Sequence, residues 1–164
     1  MRFFPIPLKT TAAVLVLCLV TAAGAFAGGR TERSTRDRLK EAEALIEEQH
    51  AGGGLSDGKR QEFLVYIYQV RAHEISRGGR FLDALQSIQE AIALLGADEK
   101  LLQSLSVYRK NYEAKVHNSM VEAYREGRYE EAARIVEAGL ERLPDSAALK
   151  KDLELLEEAA ASGE

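Results

Sequence analysis

The 164-residue chain has no tryptophan, one cysteine and three prolines. A single cysteine excludes an internal disulfide scaffold, and a hydrophobic content of 46% excludes a disordered tail. The formal net charge of −4 argues against nucleic acid as a partner, because the phosphate backbone selects basic surfaces. The length suits one domain with a modest hydrophobic core.

The first 27 residues have the pattern of an export signal. Arg2 and Lys9 form a positive head, and residues 10–24 are an uncharged, largely apolar stretch. Residues 25–27, Ala-Phe-Ala, then supply the small-x-small pattern that a signal peptidase reads. Cleavage there predicts a periplasmic or secreted protein of 137 residues that begins at Gly28, with 20 basic and 26 acidic side chains.

A retained membrane anchor is the alternative for the same segment, which would then be the chain's only membrane contact. Residues 10–29 carry no charge over about the length that spans a bilayer. The five basic residues within 30–40 place that flank in the cytoplasm by the positive-inside rule. We favour cleavage, because the Gly and Ala content of residues 22–29 makes a weak membrane core. A lipoprotein signal is disfavoured, since Leu17 occupies the position before Cys18 where a small residue is required.

Residues 28–58 are predicted to be a basic spacer with one amphipathic helix and a glycine-rich linker. The helix carries a narrow apolar stripe, formed by Leu39, Ala42, Leu45 and Ile46. Three consecutive glycines, residues 52–54, follow as the linker. Residues 30–40 can contact anionic lipid headgroups through their basic side chains, but a disordered spacer is the favoured interpretation.

Residues 59–164 are predicted to form the helical domain, with turns marked mostly by glycine. Residues 63–68 alone read as a buried strand, but nothing else in the chain pairs with them and their helical spacing continues to Ile75. Further helices are predicted over residues 81–95, from Asp98 to the glycine at 127, over residues 129–143, and through Leu149, Leu153, Leu156 and Ala160. Every predicted element is a helix, so the predicted fold class is all-α. Short loops between the helices make consecutive helices antiparallel.

Two turn regions of this domain repeat each other. Residues 79–84, GRFLDA, and residues 127–132, GRYEEA, each place an aromatic residue two positions after glycine and an alanine three positions later. Small residues let two helices approach closely, and the aromatic residue closes the open end of the hairpin. The residues that define the repeat are Gly79, Phe81, Ala84 and Ala91 in the first copy, and Gly127, Tyr129, Ala132 and Pro144 in the second.

This pattern resembles the tetratricopeptide repeat (TPR) family over residues 65–144. The family's repeat is 34 residues long, whereas the two glycines here are 48 residues apart, so the fourth helix is almost four turns longer. The resemblance implies antiparallel helical hairpins stacked as two TPR-like repeats, with an extra N-terminal helix and a C-terminal capping helix. An unrelated small helical bundle is the alternative.

No motif in the sequence points to catalysis, a cofactor or a metal site. His73 and Glu74 begin a zinc-protease motif, but Arg77 stands where the second histidine must fall. Residues 53–59 imitate a phosphate-binding loop, yet Arg60 replaces the hydroxyl that holds magnesium, and a helix precedes the loop instead of a strand. We therefore expect a chain that is not an enzyme and that uses no cofactor.

The resemblance implies a concave groove lined by the first helix of each pair. Arg77 and Arg125 fall at matching positions, and an arginine can hold a carboxylate through two hydrogen bonds. The alternative interpretation is that these are ordinary solvated helix residues. The predicted groove residues are Tyr66, Gln69, His73, Arg77, His117, Asn118, Val121, Tyr124 and Arg125.

These observations predict an exported, non-catalytic adaptor or scaffold that binds a peptide or a helix of another envelope protein. One alternative is a structural homo-oligomer, in which exposed apolar residues of the fourth and last helices pack against a second copy. The other is a membrane-anchored scaffold that keeps its N-terminal helix.

Overall fold

The computed structural model describes residues 32–162, and every regular element in that range is an α-helix. The helices are α1 (Glu32–Ala51), α2 (Asp57–Arg77), α3 (Phe81–Leu95), α4 (Glu99–Arg125), α5 (Tyr129–Arg142) and α6 (Ala147–Ser162). The predicted all-α class is confirmed. The domain boundaries after residues 27 and 58 stay predictions, and the first of them, with the cleavage site, lies outside the described residues.

The chain divides into two compact units, the first ending at Leu105 and the second beginning at Ser106. Among the described residues, the first unit contains α1, α2, α3 and the first turns of α4. The second unit contains the rest of α4 together with α5 and α6. No helix in the described range is both long enough and apolar enough to cross a membrane.

In the first unit, α1 and α2 share a buried apolar cluster. Its members are Leu39, Ala42 and Ile46 from α1, and Leu64 and Ile67 from α2. Leu45 is partly buried against the same cluster, so the stripe predicted on the first helix is the face that packs. Full burial of each large side chain contributes about 1.5–3 kcal/mol, which holds α1 on α2.

Ion pairs show that α1 and α2 run antiparallel. Near the start of α2, Arg60 donates two hydrogen bonds to Glu47, at 2.8 and 2.6 Å. Further along α2, Arg71 donates to Glu43 at 2.6 Å and lies 4.7 Å over the ring of Tyr68. The Arg60 guanidinium lowers the pKa of Glu47, and burial beside Glu43 raises the pKa of the Tyr68 phenol.

The helices α2 and α3 form a hairpin closed by residues 78–80. The side-chain amide of Gln61, near the start of α2, donates to the carbonyl oxygen of Leu95 at the end of α3, at 3.2 Å, so the pair is antiparallel. Residues 63–68 lie inside α2, which confirms the helical interpretation of that run. The predicted bounds of the third helix, 81–95, are those of α3.

The two repeated turns have nearly the same backbone conformation. Gly79 and Gly127 have φ values of +73° and +74°. The following residues, Arg80 and Arg128, have φ and ψ of −88° and 61° and of −89° and 62°. In each copy the glycine amide donates to the carbonyl three residues earlier, at 2.9 or 3.0 Å. The sequence repeat is therefore also a repeat of local structure.

The second unit packs three helices around one core. Its buried members are Val116, Met120 and Ala123 from α4, Ala132 and Val136 from α5, and Leu149 from α6. The close contact of Gly139 in α5 with Val116 brings α5 back along α4. α6 then runs parallel to α4. Glu113 in α4 accepts from Ser146, just before α6, and His117, one turn further along α4, contacts Asp152, further along α6.

A polar network joins α4 to the start of α6. The Ser146 side chain is fully buried, and its hydroxyl donates to Glu113 at 2.7 Å while accepting from the Leu149 amide at 3.3 Å. Arg109 contacts Glu113 at 3.3 Å and Asp145 at 3.0 Å. The Arg109 guanidinium lowers the pKa of the Asp145 carboxyl. This network sets where α6 begins.

Candidate functional site

An open apolar pocket of about 390 Å³ lies where α5 begins and α6 ends, within the second unit. The lining residues are Tyr124, Tyr129, Glu130, Ala133, Leu153, Leu156, Glu157, Ala159 and Ala160. We call it the α5–α6 pocket. Its volume is at the lower end of the range of small-ligand sites, about 300–1,000 Å³, and suits one or two large side chains.

The pocket exists because small residues occupy the helix faces at this end of the unit. Val136 and Leu149 fill the space between helices in the middle of the core, where both are fully buried. Nearer the pocket, the positions that face the space between the helices are held by Ala133 and Ala160, whose side chains are too small to fill it. Leu156 is therefore only partly buried, and its apolar surface remains available to a ligand.

Two tyrosines form one wall of the pocket. The rings of Tyr124 and Tyr129 meet edge to face, with centroids 5.1 Å apart and an interplanar angle of 69°. Tyr129, predicted to close the hairpin, is 47% exposed, so part of its ring faces solvent. A partly exposed, laterally supported aromatic ring is a typical anchor surface in peptide interfaces.

Two carboxylates also belong to the α5–α6 pocket. Glu130 in α5 and Glu157 in α6 both line the pocket and are exposed. Neither carboxylate has an ion-pair partner within residues 32–162. The Arg134 side chain instead donates a hydrogen bond to the backbone carbonyl oxygen of Glu130, at 3.1 Å.

Four of the predicted groove residues lie on α2, in the first unit. Tyr66, His73 and Arg77 are exposed. The side-chain amide of Gln69 instead donates to the Ser104 hydroxyl at 3.0 Å, and so ties α2 to the beginning of α4. This contact gives Gln69 a packing role within its own unit.

The other five predicted groove residues lie on α4, in the second unit. Tyr124 belongs to the α5–α6 pocket. The remaining four line one shallow depression of about 540 Å³: His117, Asn118, Val121 and Arg125. The structure thus brings these four together, and the joining of both helices into one groove stays a prediction.

His117 also links α4 to α6. Its Nδ1 lies 3.0 Å from each carboxylate oxygen of Asp152. The His117 side chain is half exposed, whereas Asp152 is only 8% exposed and therefore needs a hydrogen-bonding partner. The edge of the imidazole that holds Asp152 is not free for a ligand.

Sequence reasoning did not identify Ala133, Leu156 or Glu157 as site residues. The leucines of α6 follow the same spacing whether they are sealed in a core or line an open pocket. The available signal was the run of alanines at 159–161, which continues the apolar face without the volume needed to fill it.

The α5–α6 pocket combines an apolar surface with two carboxylates. No group of three or more His, Cys, Asp or Glu side chains in that part of the chain is placed to hold a metal ion. The α5–α6 pocket can bury an apolar side chain, and its rim can attract a cation.

Comparison of the chain with protein-family models, with curated proteins and with solved structures found no match. The resemblance to the TPR family therefore depends on the repeated residues themselves.

Proposed function

We propose that the chain is a TPR-like interaction adaptor or scaffold that binds a peptide or a helix of a partner protein and catalyses no reaction. The observation that carries the proposal is the α5–α6 pocket, which leaves an apolar surface and a tyrosine wall open to solvent. Apolar surface of this kind is stabilised when a partner's side chain removes it from water.

The TPR-like part of the proposal is supported by the two equivalent turns and by the small residues that follow them. Ala84 and Ala91 in α3 and Ala132 in α5 have no exposed surface. Gly139, which corresponds to Ala91, has no room for a side chain. Repeats of this kind place close helix contacts at the same positions in each copy.

A peptide-library selection tests the pocket. The full chain is used to select binders from a random twelve-residue library. The affinity of each selected peptide is then measured for the wild-type chain and for Ala133→Phe, a variant whose phenyl ring fills the pocket. The matched control is Ala148→Phe at an exposed position of α6. We expect Ala133→Phe to weaken binding at least about tenfold and the control to leave it unchanged. Equal binding to both variants, or no selected peptide, contradicts the proposal.

The predicted groove is tested separately with Arg77→Ala and Arg125→Ala. If the two arginines hold a partner's carboxylate, their combined removal weakens binding of that peptide without changing the helicity measured by circular dichroism. Unchanged binding with unchanged helicity removes the groove from the proposal and leaves the pocket as the site.

We also propose export, with cleavage after Ala27, and a membrane-anchored scaffold is its alternative. Intact mass measured after expression in an export-competent host, together with fractionation, distinguishes the two. A product that begins at Gly28 in the soluble exported fraction supports export. A full-length product in membranes supports the anchored scaffold.

A structural homo-oligomer is the second candidate function, favoured by exposed apolar side chains in each unit. Leu102 in the first unit and Val107 and Leu155 in the second are each about half exposed. Sedimentation over a range of concentrations tests it, because only the oligomer predicts a mass that rises with concentration.

A further inference from the structure

We infer that the α5–α6 pocket binds a segment whose large apolar side chain is flanked on both sides by lysine or arginine. The inference rests on the proposed function, because it names the chemistry of the segment that the adaptor takes. Two features carry it: an apolar floor sized for one or two side chains, and a rim that is acidic on both helices.

The floor selects an apolar anchor. Leu153 and Leu156 are partly buried side chains of α6 with apolar surface toward the pocket, and Ala133 faces them from α5. The Tyr124–Tyr129 pair closes one side. A leucine or phenylalanine placed here removes apolar surface from water on both partners, whereas a polar side chain finds few hydrogen-bonding groups on the floor.

The rim selects the flanking charges. Glu130 belongs to α5 and Glu157 to α6, so two of the three helices that line the pocket each contribute a carboxylate. Because neither carboxylate has an ion-pair partner among the described residues, each can pair with a lysine or arginine of the ligand.

Nearby basic residues do not cancel this rim. Arg128 is held by Glu126 and Glu131, with which it forms ion pairs. Arg125 lines the separate depression on α4. Arg134 donates to a backbone carbonyl oxygen. The cations closest in sequence therefore form no ion pair with Glu130 or Glu157 in the described part of the chain.

The end of α6 adds to the negative potential. Its second half, residues 155–162, contains Glu157 and no basic residue. The last turn carries no basic side chain to offset the negative end of the helix dipole. A cation beside the pocket is stabilised by the dipole as well as by the carboxylates.

Fluorescence anisotropy with three labelled twelve-residue peptides tests the inference on the full chain. The first peptide has a central leucine-phenylalanine pair with two lysines on each side. The second replaces the lysines by glutamates, and the third replaces the apolar pair by serines. We expect the first to bind at least about tenfold more tightly than either control, because exposed ion pairs each add a few-fold in affinity and the anchor supplies the rest.

Protein variants assign the binding to the pocket. We expect Glu130→Gln combined with Glu157→Gln to weaken the binding of the lysine peptide about fivefold. Glu137→Gln combined with Glu141→Gln removes the same charge from exposed positions of α5 outside the pocket, and it leaves binding within about twofold. Ala133→Phe abolishes binding, and the glutamine variants keep the test valid if that variant does not fold.

Several outcomes overturn the inference. If the lysine and glutamate peptides bind equally well and Ala133→Phe abolishes the binding of both, the charge selection is wrong and the proposed adaptor function stands. If the lysine peptide binds Ala133→Phe as tightly as the wild-type chain, the attraction is a general one between charged surfaces and the pocket is not the binding site. No binding of the lysine peptide rejects this ligand class, while the random library decides the adaptor function independently. Self-association that Ala133→Phe abolishes identifies a second copy as the occupant.

Discussion

Gly139 in α5 lies so close to Val116 in α4 that a methyl group on its Cα would stand 2.9 Å from Val116 Cγ1. On the other side, the same methyl group would be 3.0 Å from Leu149 Cδ1 in α6. Three helices of the second unit therefore meet at a position where only a hydrogen fits. The corresponding residue of the first copy is Ala91, which is fully buried.

We expect Gly139→Ala to destabilise the protein by about 1 kcal/mol. Alanine adds up to about 1 kcal/mol of helix propensity, but a contact this short forces the helices apart at a cost of about 1–3 kcal/mol. Gly58→Ala is the control, because Gly58 lies in α2 with nothing within 4 Å of an added Cβ. It should stabilise by about 0.5 kcal/mol. Urea denaturation measures both, and a Gly139→Ala protein as stable as Gly58→Ala contradicts the packing described above.

Gly79 and Gly127 should respond equally to substitution. Both have positive φ, and no atom lies within 4 Å of an added Cβ at either residue, so the cost of alanine is the cost of the left-handed backbone alone. We expect Gly79→Ala and Gly127→Ala each to lose about 1–2 kcal/mol of unfolding free energy. Asparagine, which tolerates this conformation better, should lose less. A loss in only one of the two turns is inconsistent with equivalent repeats.

Ser146→Ala should destabilise the protein by about 1–2 kcal/mol, because it removes the cap of α6 and one hydrogen bond to Glu113. Ser146→Asp, normally a good cap, should not rescue it, since a second carboxylate would face Glu113. At Ser56, the exposed cap of α2, alanine should cost less and aspartate should be tolerated. Thermal unfolding followed by circular dichroism compares the four variants. Rescue by Ser146→Asp argues against the buried network.

Acid should weaken the ion pairs of both units. Arg60 lowers the pKa of Glu47 from its ordinary value of 4.5, and Arg109 lowers that of Asp145 from 3.8. The folded protein thus holds these carboxylates ionised at a pH where the unfolded chain protonates them. Their contribution to stability is complete above about pH 4.5 and falls as the pH drops through the folded pKa values.

Urea denaturation from pH 7 down to pH 3 measures this effect. Arg60→Met combined with Arg109→Met should reduce the loss of unfolding free energy between pH 4.5 and pH 3. An identical pH dependence in the wild-type protein and the double variant shows that these pairs do not link folding to pH.

Local features of the fold were predictable from particular residues. The turn before α3 and the turn before α5 follow from glycines that adopt positive φ, and α3 therefore begins and ends where the sequence predicts. The stripe Leu39, Ala42 and Ile46 identified the packed face of α1, since a period of 3.6 residues places these side chains on one side of a helix.

The candidate site was less predictable, because exposure depends on what stands opposite a residue. Tyr124 was predicted to be a groove residue and lines the α5–α6 pocket, but Leu156 has the same helical spacing as buried leucines. His117 was predicted to face a ligand, and its contact with Asp152, 35 residues away in sequence, has no local signal.

The sequence by itself determined the helical class, the helix-breaking turns and the repeat of those turns, because periodicity and glycine's backbone freedom act over a few residues. Only the tertiary structure decided which apolar side chains are sealed and which remain open at the α5–α6 pocket. That distinction depends on the volume of side chains that face one another across neighbouring helices, which no single segment contains.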